Sequence, residues 1–397
     1  MSHFSKVAVI GNFPPRQCGI ATFTADLVNA LAISEQSASV FAVAMNDTHQ
    51  GYDYGSAVRF QISQTQLDDY HQAADYLNLQ GVDVVSVQHE FGIYGGDAGS
   101  HLLTLLRELD APVVTTLHTV LEHPSAAQRA VMTEIARRSE RLVVMSQTGK
   151  QFLESVYQVA ANKITLIPHG IPDVEYAETD FYKERFGVKD KTVLLTFGLL
   201  SPNKGLEQAI RALPQIVAMH PEVVYFILGA THPHLVKHEG EAYRLFLQKL
   251  AHSLGVEDHV VFFDQFVELG DLLTFIGAAD VYLTPYGNRE QIVSGTLAYA
   301  LGAGKAIVST PYWYAEELLA DGRGVLTPFN DVSALGQSVN SLLADAKKTS
   351  EMRAQAYMYG RKMIWREVAA RYFETFAGVS AVHPVSASNL FPEEVQT

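Results

Sequence analysis

Short apolar runs rich in β-branched residues alternate along the chain with longer segments whose apolar residues recur every three or four positions. The runs are typical of buried parallel strands, and the longer segments are typical of the helices that connect them. Two sets of six runs occur, which predicts an α/β protein with two doubly wound parallel sheets. The first set is KVAVIG (6–11), SVFAVAM (39–45), VDVVSVQ (82–88), PVVTTLH (112–118), RLVVMS (141–146) and KITLIPHG (163–170). The second set is KTVLLTFG (191–198), VVYFILGA (223–230), HVVFFDQF (259–266), ADVYLTPY (279–286), KAIVST (305–310) and GVLTPF (324–329).

The segments between and after these runs predict how the chain is divided. Residues Pro172–Lys189 carry acidic stretches and no strong periodicity, which favours an interdomain linker. Residues Asp331–Gly378 have helical spacing, and the periodicity is lost after Gly378. We therefore predict a first domain over 1–175, a second over 190–360, a helix over 361–378, and a tail over 379–397 that is poorly ordered or lies along the surface.

Composition narrows the class of protein. With 48% apolar and 18% charged residues, the 397-residue chain has enough apolar residues for two cores, which excludes disorder over most of its length. Its net charge of −14 argues against a nucleic-acid partner, because binding to the phosphate backbone needs a basic face. The single cysteine, Cys18, forms no intramolecular disulfide, and no signal peptide or long apolar run is visible. We expect a cytoplasmic protein.

Metal and membrane sites have weak support. His234 and His238 have the i, i+4 spacing of two metal ligands, but no third ligand is evident, and Pro233 with Gly240 argues against a helix there. We therefore expect no metal. A basic stretch in the first half of the chain is compatible with peripheral contact with a membrane surface. Interspersed glutamates such as Glu134 instead favour an ordinary solvated helix face. The basic residues are Arg129, Arg137, Arg138, Arg141 and Lys150.

The loop after the first predicted strand is a candidate binding site. Ligands of open α/β sheets bind beyond the carboxyl ends of the strands. Gly19 opens a helix there, where backbone N–H groups can approach a phosphate or a sugar hydroxyl, and Arg16 adds a charged clamp. A flexible strand-to-helix turn without a binding role is an equal alternative.

The loops after the third and fourth predicted strands carry further candidates. The segment QHEFGIYGG brings His89, Glu90 and Tyr94 together with a glycine pair, which is the chemistry of sugar recognition. Substrate binding is favoured over an acid–base pair, because adjacent residues on an extended chain point opposite ways. His118 ends the fourth strand, and we favour a ligand contact over a purely structural hydrogen bond.

Two predicted helix starts in the second half are suited to anions. Lys204 lies where a strand and a six-residue turn lead into an amphipathic helix, so its ammonium and the first N–H groups favour a pyrophosphate. A solvated loop charge is the alternative, and the segment lacks the Walker pattern. A second helix start combines hydroxyls and N–H groups at Ser294, Gly295 and Thr296. Nearby polar residues are assigned to the sugar hydroxyls or ribose of a donor: Glu290, Gln291 and Glu317, with a helix-capping role as the alternative for Glu317.

The motifs of the chain resemble those of a bacterial family 4 glycosyltransferase. The resemblance extends from KVAVIGNFPPRQCGIATF to WREVAARYF and is most specific in GLLSPNKGLEQAIRAL, GVEDHVVFFDQF, AADVYLTPY and LAYALGAGKAIVST. It implies a GT-B fold, in which two Rossmann-like domains face each other across a cleft and the final helix crosses back to the first domain. It also implies a retaining, metal-independent transfer without a cofactor. The donor, a nucleotide sugar, is then held by the second domain, and a carbohydrate or glycan acceptor by the first.

The resemblance also assigns roles to single residues. Lys204 resembles the family's diphosphate-binding lysine, His118 the histidine that approaches the donor sugar, and Gly19 the glycine loop. Two features depart from the family pattern. Leu199 occupies the place of an arginine. The family's paired glutamates, separated by seven residues, are not preserved: counted back from Gly304 they correspond to Gln291 and Tyr299, and counted forward from Glu290 the second corresponds to Ala298.

We therefore expect a retaining hexosyltransferase in which the leaving phosphate assists deprotonation of the acceptor. Lys204 and His118 are its expected catalytic residues. Because of the two departures, a retaining disaccharide phosphorylase of the same fold and a non-catalytic sugar- or nucleotide-binding subunit remain alternatives.

Overall fold

The computed structural model describes residues 6–34, 38–48 and 50–380 of the chain. The chain forms two compact units. The first runs to Pro168 and resumes at Arg366, and the second is His169–Trp365. The boundary therefore falls earlier than the predicted limit at residue 175, and residues 381–397 of the predicted tail lie outside the described residues.

The first unit is built on a seven-stranded parallel sheet with the order β3-β2-β1-β4-β5-β6-β7. Because β2 and β4 flank β1, the connections diverge beyond the carboxyl ends of β1 and β4, where open sheets bind ligands. The strands are β1 (Lys6–Gly11), β2 (Ser39–Asn46), β3 (Val58–Ser63), β4 (Val84–His89), β5 (Val113–Leu117), β6 (Arg141–Val144) and β7 (Ile164–Leu166). The connecting helices are α1 (Gly19–Ala32), α2 (Leu67–Gln80), α3 (Leu102–Glu108), α4 (Ala126–Arg138) and α5 (Gln147–Ser155).

The second unit has a six-stranded parallel sheet with the order β10-β9-β8-β11-β12-β13, so its connections diverge between β8 and β11. The strands are β8 (Thr192–Phe197), β9 (Val223–Leu228), β10 (Val260–Phe263), β11 (Val281–Thr284), β12 (Ala306–Ser309) and β13 (Val325–Leu326). The helices are α6 (Asp180–Lys183), α7 (Leu206–Val217), α8 (Pro233–Glu239), α9 (Ala242–Ser253), α10 (Leu269–Ala278), α11 (Gly295–Gly302), α12 (Trp313–Leu318), α13 (Val332–Ala344) and α14 (Ala346–Gly360).

Apolar cores cover both faces of the second sheet. Along β8, Val193 and Leu195 pack into one core, and Leu194 between them packs into the other, as the alternation of a strand requires. Helix α7 covers the second core with residues spaced by three and four positions, including Ile210 and Leu213, which are fully buried. Two-sided burial explains why the strands of this unit are nearly continuous apolar runs.

All twelve predicted strands are confirmed. The prediction omits β3, an edge strand in which polar and apolar residues alternate and only Ile62 is fully buried. The prediction against a helix near Pro233 is wrong, because α8 begins at that proline. Proline is tolerated in the first turn of a helix, and Gly240, with a φ of +61°, follows the helix end.

Two segments near the boundary between the units each pack on one of the units. Helix α15 (Trp365–Ser380) belongs to the first unit from Arg366 onwards, and the hydroxyls of its Tyr372 and of Thr116 on β5 are 2.8 Å apart. The predicted linker instead packs on the second unit through α6, where Nζ of Lys183 lies 2.8 Å from Oδ2 of Asp280.

Candidate active site

A lysine-bearing loop follows β8 in the second unit and is fixed against the loop that follows β11. It passes through a short 3-10 helix, Pro202–Lys204, and enters α7 at Gly205, whose φ is +62°. A Cβ atom at Gly205 would collide with the carbonyl oxygen of Pro285, so only glycine fits there. The N–H of Gly287 donates to the carbonyl of Asn203 at 3.1 Å. Lys204 is thereby held beside the loop of β11.

A chain of polar contacts joins Lys204 to the start of α11. Nζ of Lys204 donates to the phenolic oxygen of Tyr286 at 2.6 Å. This oxygen lies 3.1 Å from Oγ1 of Thr296, which in turn lies 3.2 Å from Oγ of Ser294. The structure thus brings together Lys204, Ser294 and Thr296, which the sequence places in separate loops. Tyr286, which joins them, is not among the predicted site residues.

The N-terminus of α11 adds the properties of a helix end to this cluster. Ser294 caps the helix, and its Oγ accepts a hydrogen bond from the N–H of Leu297 at 3.3 Å. The first N–H groups of a helix have no acceptor within the helix, and its N-terminal end carries partial positive charge. Gly295, the first residue of α11, has no side chain that would cover these amides. The cluster of Lys204, Tyr286, Ser294 and Thr296 is therefore suited to an anion.

Tyr286 is locked in place and electronically perturbed. Its ring stacks on Tyr312, with ring centroids 4.9 Å apart, and its carbonyl accepts from Thr310 Oγ1 at 2.7 Å. Burial acts to raise the pKa of Tyr286, but the charge and hydrogen bond of Lys204, together with the hydroxyls of Thr296 and Ser294, bring that pKa below its ordinary value. The phenol is therefore a polarised hydrogen-bonding group in a fixed position.

A buried histidine lies against the same helix end. Nδ1 of His169 is 2.7 Å from the carbonyl oxygen of Gly170, and the ring meets that of Tyr299 edge-on. A Cβ atom at Gly295 would lie 2.9 Å from Nε2 of His169, so glycine leaves room for the imidazole. Burial lowers the pKa of His169 to about 4, against a smaller opposing effect of the Gly170 carbonyl, and the ring is neutral at physiological pH.

The other three predicted donor-binding residues of this unit lie outside these contacts. Glu290 and Gln291 are on the exposed loop before α11. The N–H of Glu290 takes the Asn288 side chain as acceptor at 2.9 Å, and Nε2 of Gln291 donates to the Val293 carbonyl at 2.6 Å. Glu317 is half-buried on α12. Their donor contacts stay a prediction.

In the first unit, the two residues that the resemblance selects differ in their surroundings. Gly19 is the first residue of α1, capped by Sγ of Cys18, and a Cβ atom at Gly19 would meet nothing within 4 Å. His118 follows β5, with Nε2 3.0 Å from Oε1 of Gln88 and its ring edge-on to Phe23. The space at Gly19 is compatible with a close ligand, and His118 is oriented by Gln88.

The loop after β4 places most of its predicted binding residues beneath the surface. His89 is fully buried between Phe91 and Tyr94, and burial lowers its pKa to about 3. The hydroxyl of Tyr94, also buried, donates to the Gln88 carbonyl at 2.8 Å. Oε2 of Glu90 accepts from the N–H of Gly92 at 2.8 Å, and burial raises the carboxyl pKa despite this bond. In this placement His89 and Tyr94 support the loop rather than form a binding surface.

The basic stretch of α4 forms ion pairs with its own helix. Glu134 lies 2.8 Å from Arg137 and 3.0 Å from Arg138, and the Arg137 hydrogen bond leads the effects that lower the Glu134 pKa to about 2. This pairing favours the solvated helix face. Among residues 6–34, 38–48 and 50–380, no helix has both the length and the apolar character needed to cross a membrane.

Comparison with known families identifies the chain. The family model described as "Glycosyltransferase Family 4" matches residues 18–175, and the model "Glycosyl transferases group 1" matches residues 178–363. The chain belongs to glycosyltransferase family 4. The resemblance noted in its sequence is thereby confirmed.

Relatives of this glycosyltransferase include two mannosyltransferases of Mycolicibacterium smegmatis. A GDP-mannose-dependent α-(1-6)-phosphatidylinositol monomannoside mannosyltransferase is 29% identical over 49% of this chain and 50% of its own length. Phosphatidyl-myo-inositol mannosyltransferase is 25% identical over 75% of this chain and 73% of its own length. The match thus spans half of the first relative and about three quarters of the second.

Solved glycosyltransferase structures share the fold. HepE of Anabaena, in complex with UDP, is 18% identical with a TM-score of 0.75 and covers 94% of this chain and 100% of its own. Sucrose-phosphate synthase of Thermosynechococcus elongatus is 16% identical with a TM-score of 0.76 and covers 95% of this chain and 100% of its own. The GT-B fold class predicted from sequence is therefore confirmed.

Two residues of the site were missed, for different reasons. Tyr286 falls at the end of an apolar run and reads as part of a strand, although its contact with Lys204 is the shortest in the cluster. His169 lies at the end of the run KITLIPHG, where its residue type gives no separate sign of a role in the site. One signal for Tyr286 was available: the loops after β8 and β11 both lead to helix starts, and these two strands are neighbours in a doubly wound sheet of this order.

Proposed function

We propose that this glycosyltransferase moves a hexose from a nucleotide-sugar donor to a hydroxyl of a sugar or other acceptor, with retention of anomeric configuration. The observation that carries the proposal is the contact chain from Lys204 through Tyr286 to Thr296 at the N-terminus of α11. A cation, several hydroxyls and a helix N-terminus together form a set of donors that suits a diphosphate.

The cluster would act mainly on the leaving group. As the glycosidic bond breaks, negative charge grows on the diphosphate, and groups fixed in advance around that charge lower the barrier most. Lys204 is fixed by Tyr286, and Tyr286 is fixed by its stack on Tyr312. Leu199 stands where the family has an arginine, so Lys204, the Tyr286 hydroxyl and the α11 amides carry this task in our proposal.

The proton of the acceptor hydroxyl would pass to an oxygen of the leaving phosphate. This step needs no protein base, and the orientation of both sugars supplies the remaining part of the rate enhancement. His118, held by Gln88, is proposed to contact the donor sugar rather than to take the proton. His169 is proposed to support the start of α11 as a neutral ring.

The transfer is proposed to need neither a cofactor nor a metal ion. Lys204 and the α11 N-terminus supply the positive charge that a bound cation supplies to phosphoryl groups in metal-dependent enzymes. Turnover in EDTA equal to turnover without it is expected. Loss of turnover in EDTA that Mg²⁺ or Mn²⁺ restores would overturn this part of the proposal.

The identity of the donor is open between nucleotides. One mycobacterial relative is named as GDP-mannose-dependent, whereas HepE was solved with UDP-glucose. We therefore propose a nucleoside diphosphate hexose without choosing the base. We also place the reaction in the cytoplasm, where such donors are made and a lone thiol such as Cys18 stays reduced, and cell fractionation with an antibody tests this.

Proton NMR of the products tests the proposed reaction directly. The full chain is incubated with UDP-glucose, GDP-mannose or ADP-glucose and a panel of saccharide acceptors, and the anomeric signals of donor and product are compared. Release of a nucleoside diphosphate with an α-anomeric product is expected for one donor. Sugar 1-phosphate formed from a disaccharide and inorganic phosphate would favour the phosphorylase. Nucleotide binding without any transfer would favour the non-catalytic subunit.

A further inference from the structure

Three aromatic side chains cluster beyond the carboxyl ends of β1 and β2 in the first unit. Phe13 follows β1, and Tyr52 and Tyr54 lie in the loop between β2 and β3. The ring centroids of Phe13 and Tyr54 are 6.4 Å apart, and those of Tyr52 and Tyr54 are 6.0 Å apart, both pairs edge-on. All three rings are partly exposed, whereas Phe23 on α1 and Phe41 on β2 are buried.

An arginine–carboxylate pair borders the rings. Nε of Arg16 lies 3.4 Å from Oδ2 of Asp47, and Nη1 donates to Oδ1 of Asn12 at 2.9 Å. Oδ1 of Asp47 accepts from the Tyr52 hydroxyl at 2.8 Å. Within residues 6–34, 38–48 and 50–380, Nη2 of Arg16 has no hydrogen-bond acceptor. The pair therefore has a donor and carboxylate lone pairs available beside an aromatic face.

The tyrosine hydroxyls strengthen this surface without adding charge. Tyr54 donates to Oδ1 of Asn46 at 2.7 Å, so both tyrosines are tied to the end of β2. Burial, ahead of the Asp47 contact, raises the pKa of Tyr52 to about 12, and burial likewise raises the pKa of Tyr54 to about 12. Both phenols stay neutral in the physiological range, and the rings are held in place before any ligand arrives.

We propose that Phe13, Tyr52 and Tyr54 form a platform for one pyranose ring, whose hydroxyls bind Arg16 and Asp47. The C–H groups of a sugar ring carry partial positive charge and pack against the negative face of an aromatic ring. The planar guanidinium and the carboxylate offer donors and acceptors that match neighbouring hydroxyls. This inference rests on the proposed function, and it assigns the acceptor to the carbohydrates.

Saturation-transfer difference NMR on the full chain tests the platform without requiring turnover. The probes are methyl α-D-mannopyranoside, methyl β-D-glucopyranoside and cyclohexanol, a ring of the same size with a single hydroxyl. Wild type and Tyr52→Phe, which keeps the ring, are expected to saturate the C–H signals of at least one pyranoside. Tyr52→Ala is expected to lose about tenfold of that signal. Phe181→Ala, which removes a 72% exposed aromatic side chain from the second unit, is the matched control and is expected to behave as wild type.

The outcomes separate this inference from the proposed function. Loss of signal in Tyr52→Ala alone, with an unchanged thermal unfolding temperature, supports the platform even if no nucleotide sugar is turned over. Absence of pyranoside signal in wild type, equal signals in wild type and Tyr52→Ala, or equal transfer to cyclohexanol would overturn it, even if a donor is turned over. With an active donor, Tyr52→Ala is expected to raise KM for the saccharide acceptor and to leave KM for the donor unchanged.

Discussion

Replacing Tyr286 with phenylalanine removes the hydroxyl that joins Lys204 to Thr296 and keeps the ring on its stack with Tyr312. The variant loses a bond of 2.6 Å to a charged group and a contact of 3.1 Å to a second hydroxyl. A hydrogen bond to a charged group contributes about 1.5–3 kcal/mol. If the bond positions Lys204 for the departing diphosphate, kcat falls roughly 10- to 100-fold. The donor KM changes little, because the charge of Lys204 remains.

The assay is release of nucleoside diphosphate from the donor that the NMR screen identifies, followed over a range of donor concentrations. Tyr225→Phe is the matched control, because Tyr225 is buried in the same unit and its hydroxyl donates to Thr196 at 2.8 Å, away from Lys204. Equal kcat values for Tyr286→Phe and wild type would refute the role of the hydroxyl. An equal fall in both variants would show that the loss reflects folding rather than the site.

Two further predictions concern the folding of the site loops. Gly205→Ala combines a φ of +62° with a collision at the Pro285 carbonyl, so it is expected to lower the free energy of unfolding by about 1–3 kcal/mol in denaturant titrations. Gly270→Ala, where a Cβ meets nothing within 4 Å, is the control and is expected to cause no such loss. Equal stabilities of the two variants would contradict the packing at Gly205. Burial lowers the pKa of His89 from 6.5 to about 3, so only the unfolded chain takes up this proton between those values, and stability falls as the pH drops from about 6.5 towards 3. For one group, the free energy of unfolding falls by at most about 1.4 kcal/mol per pH unit. Between pH 7 and 5, the stability of His89→Leu is expected to fall less steeply than that of wild type. Parallel curves of stability against pH would exclude His89 as the source of the loss.

The fold was predictable because its strands are buried on both faces. A strand such as β9, with six buried residues, is a continuous apolar run, and such runs alternate with amphipathic helices such as α7. The edge strand β3 was not predicted, because one of its faces carries polar residues and the strand is only partly buried. Helix α8 was not predicted, because proline disfavours the interior of a helix, whereas Pro233 is the first residue of α8.

The candidate site was predictable only in parts. Lys204 and Ser294–Thr296 each follow from a strand, a turn and a helix start, which is local information. They are joined through Tyr286, which lies 82 positions from Lys204 along the chain, and this contact depends on β8 and β11 being neighbours in the sheet. The burial of His89 was likewise not predictable, because the sequence around a single polar residue at a strand end does not show whether its side chain faces the core or the solvent.

The role of Lys204 in stabilising the leaving diphosphate is tested by Lys204→Ala, with kcat for nucleoside diphosphate release as the measured quantity. Lys249→Ala, which removes an exposed lysine from α9 of the same unit, is the control for surface charge. Lys204→Ala is expected to lose on the order of 3 kcal/mol of transition-state stabilisation, which is at least about 100-fold in kcat, whereas the control is expected to lose none. A kcat for Lys204→Ala close to that of wild type would contradict this role.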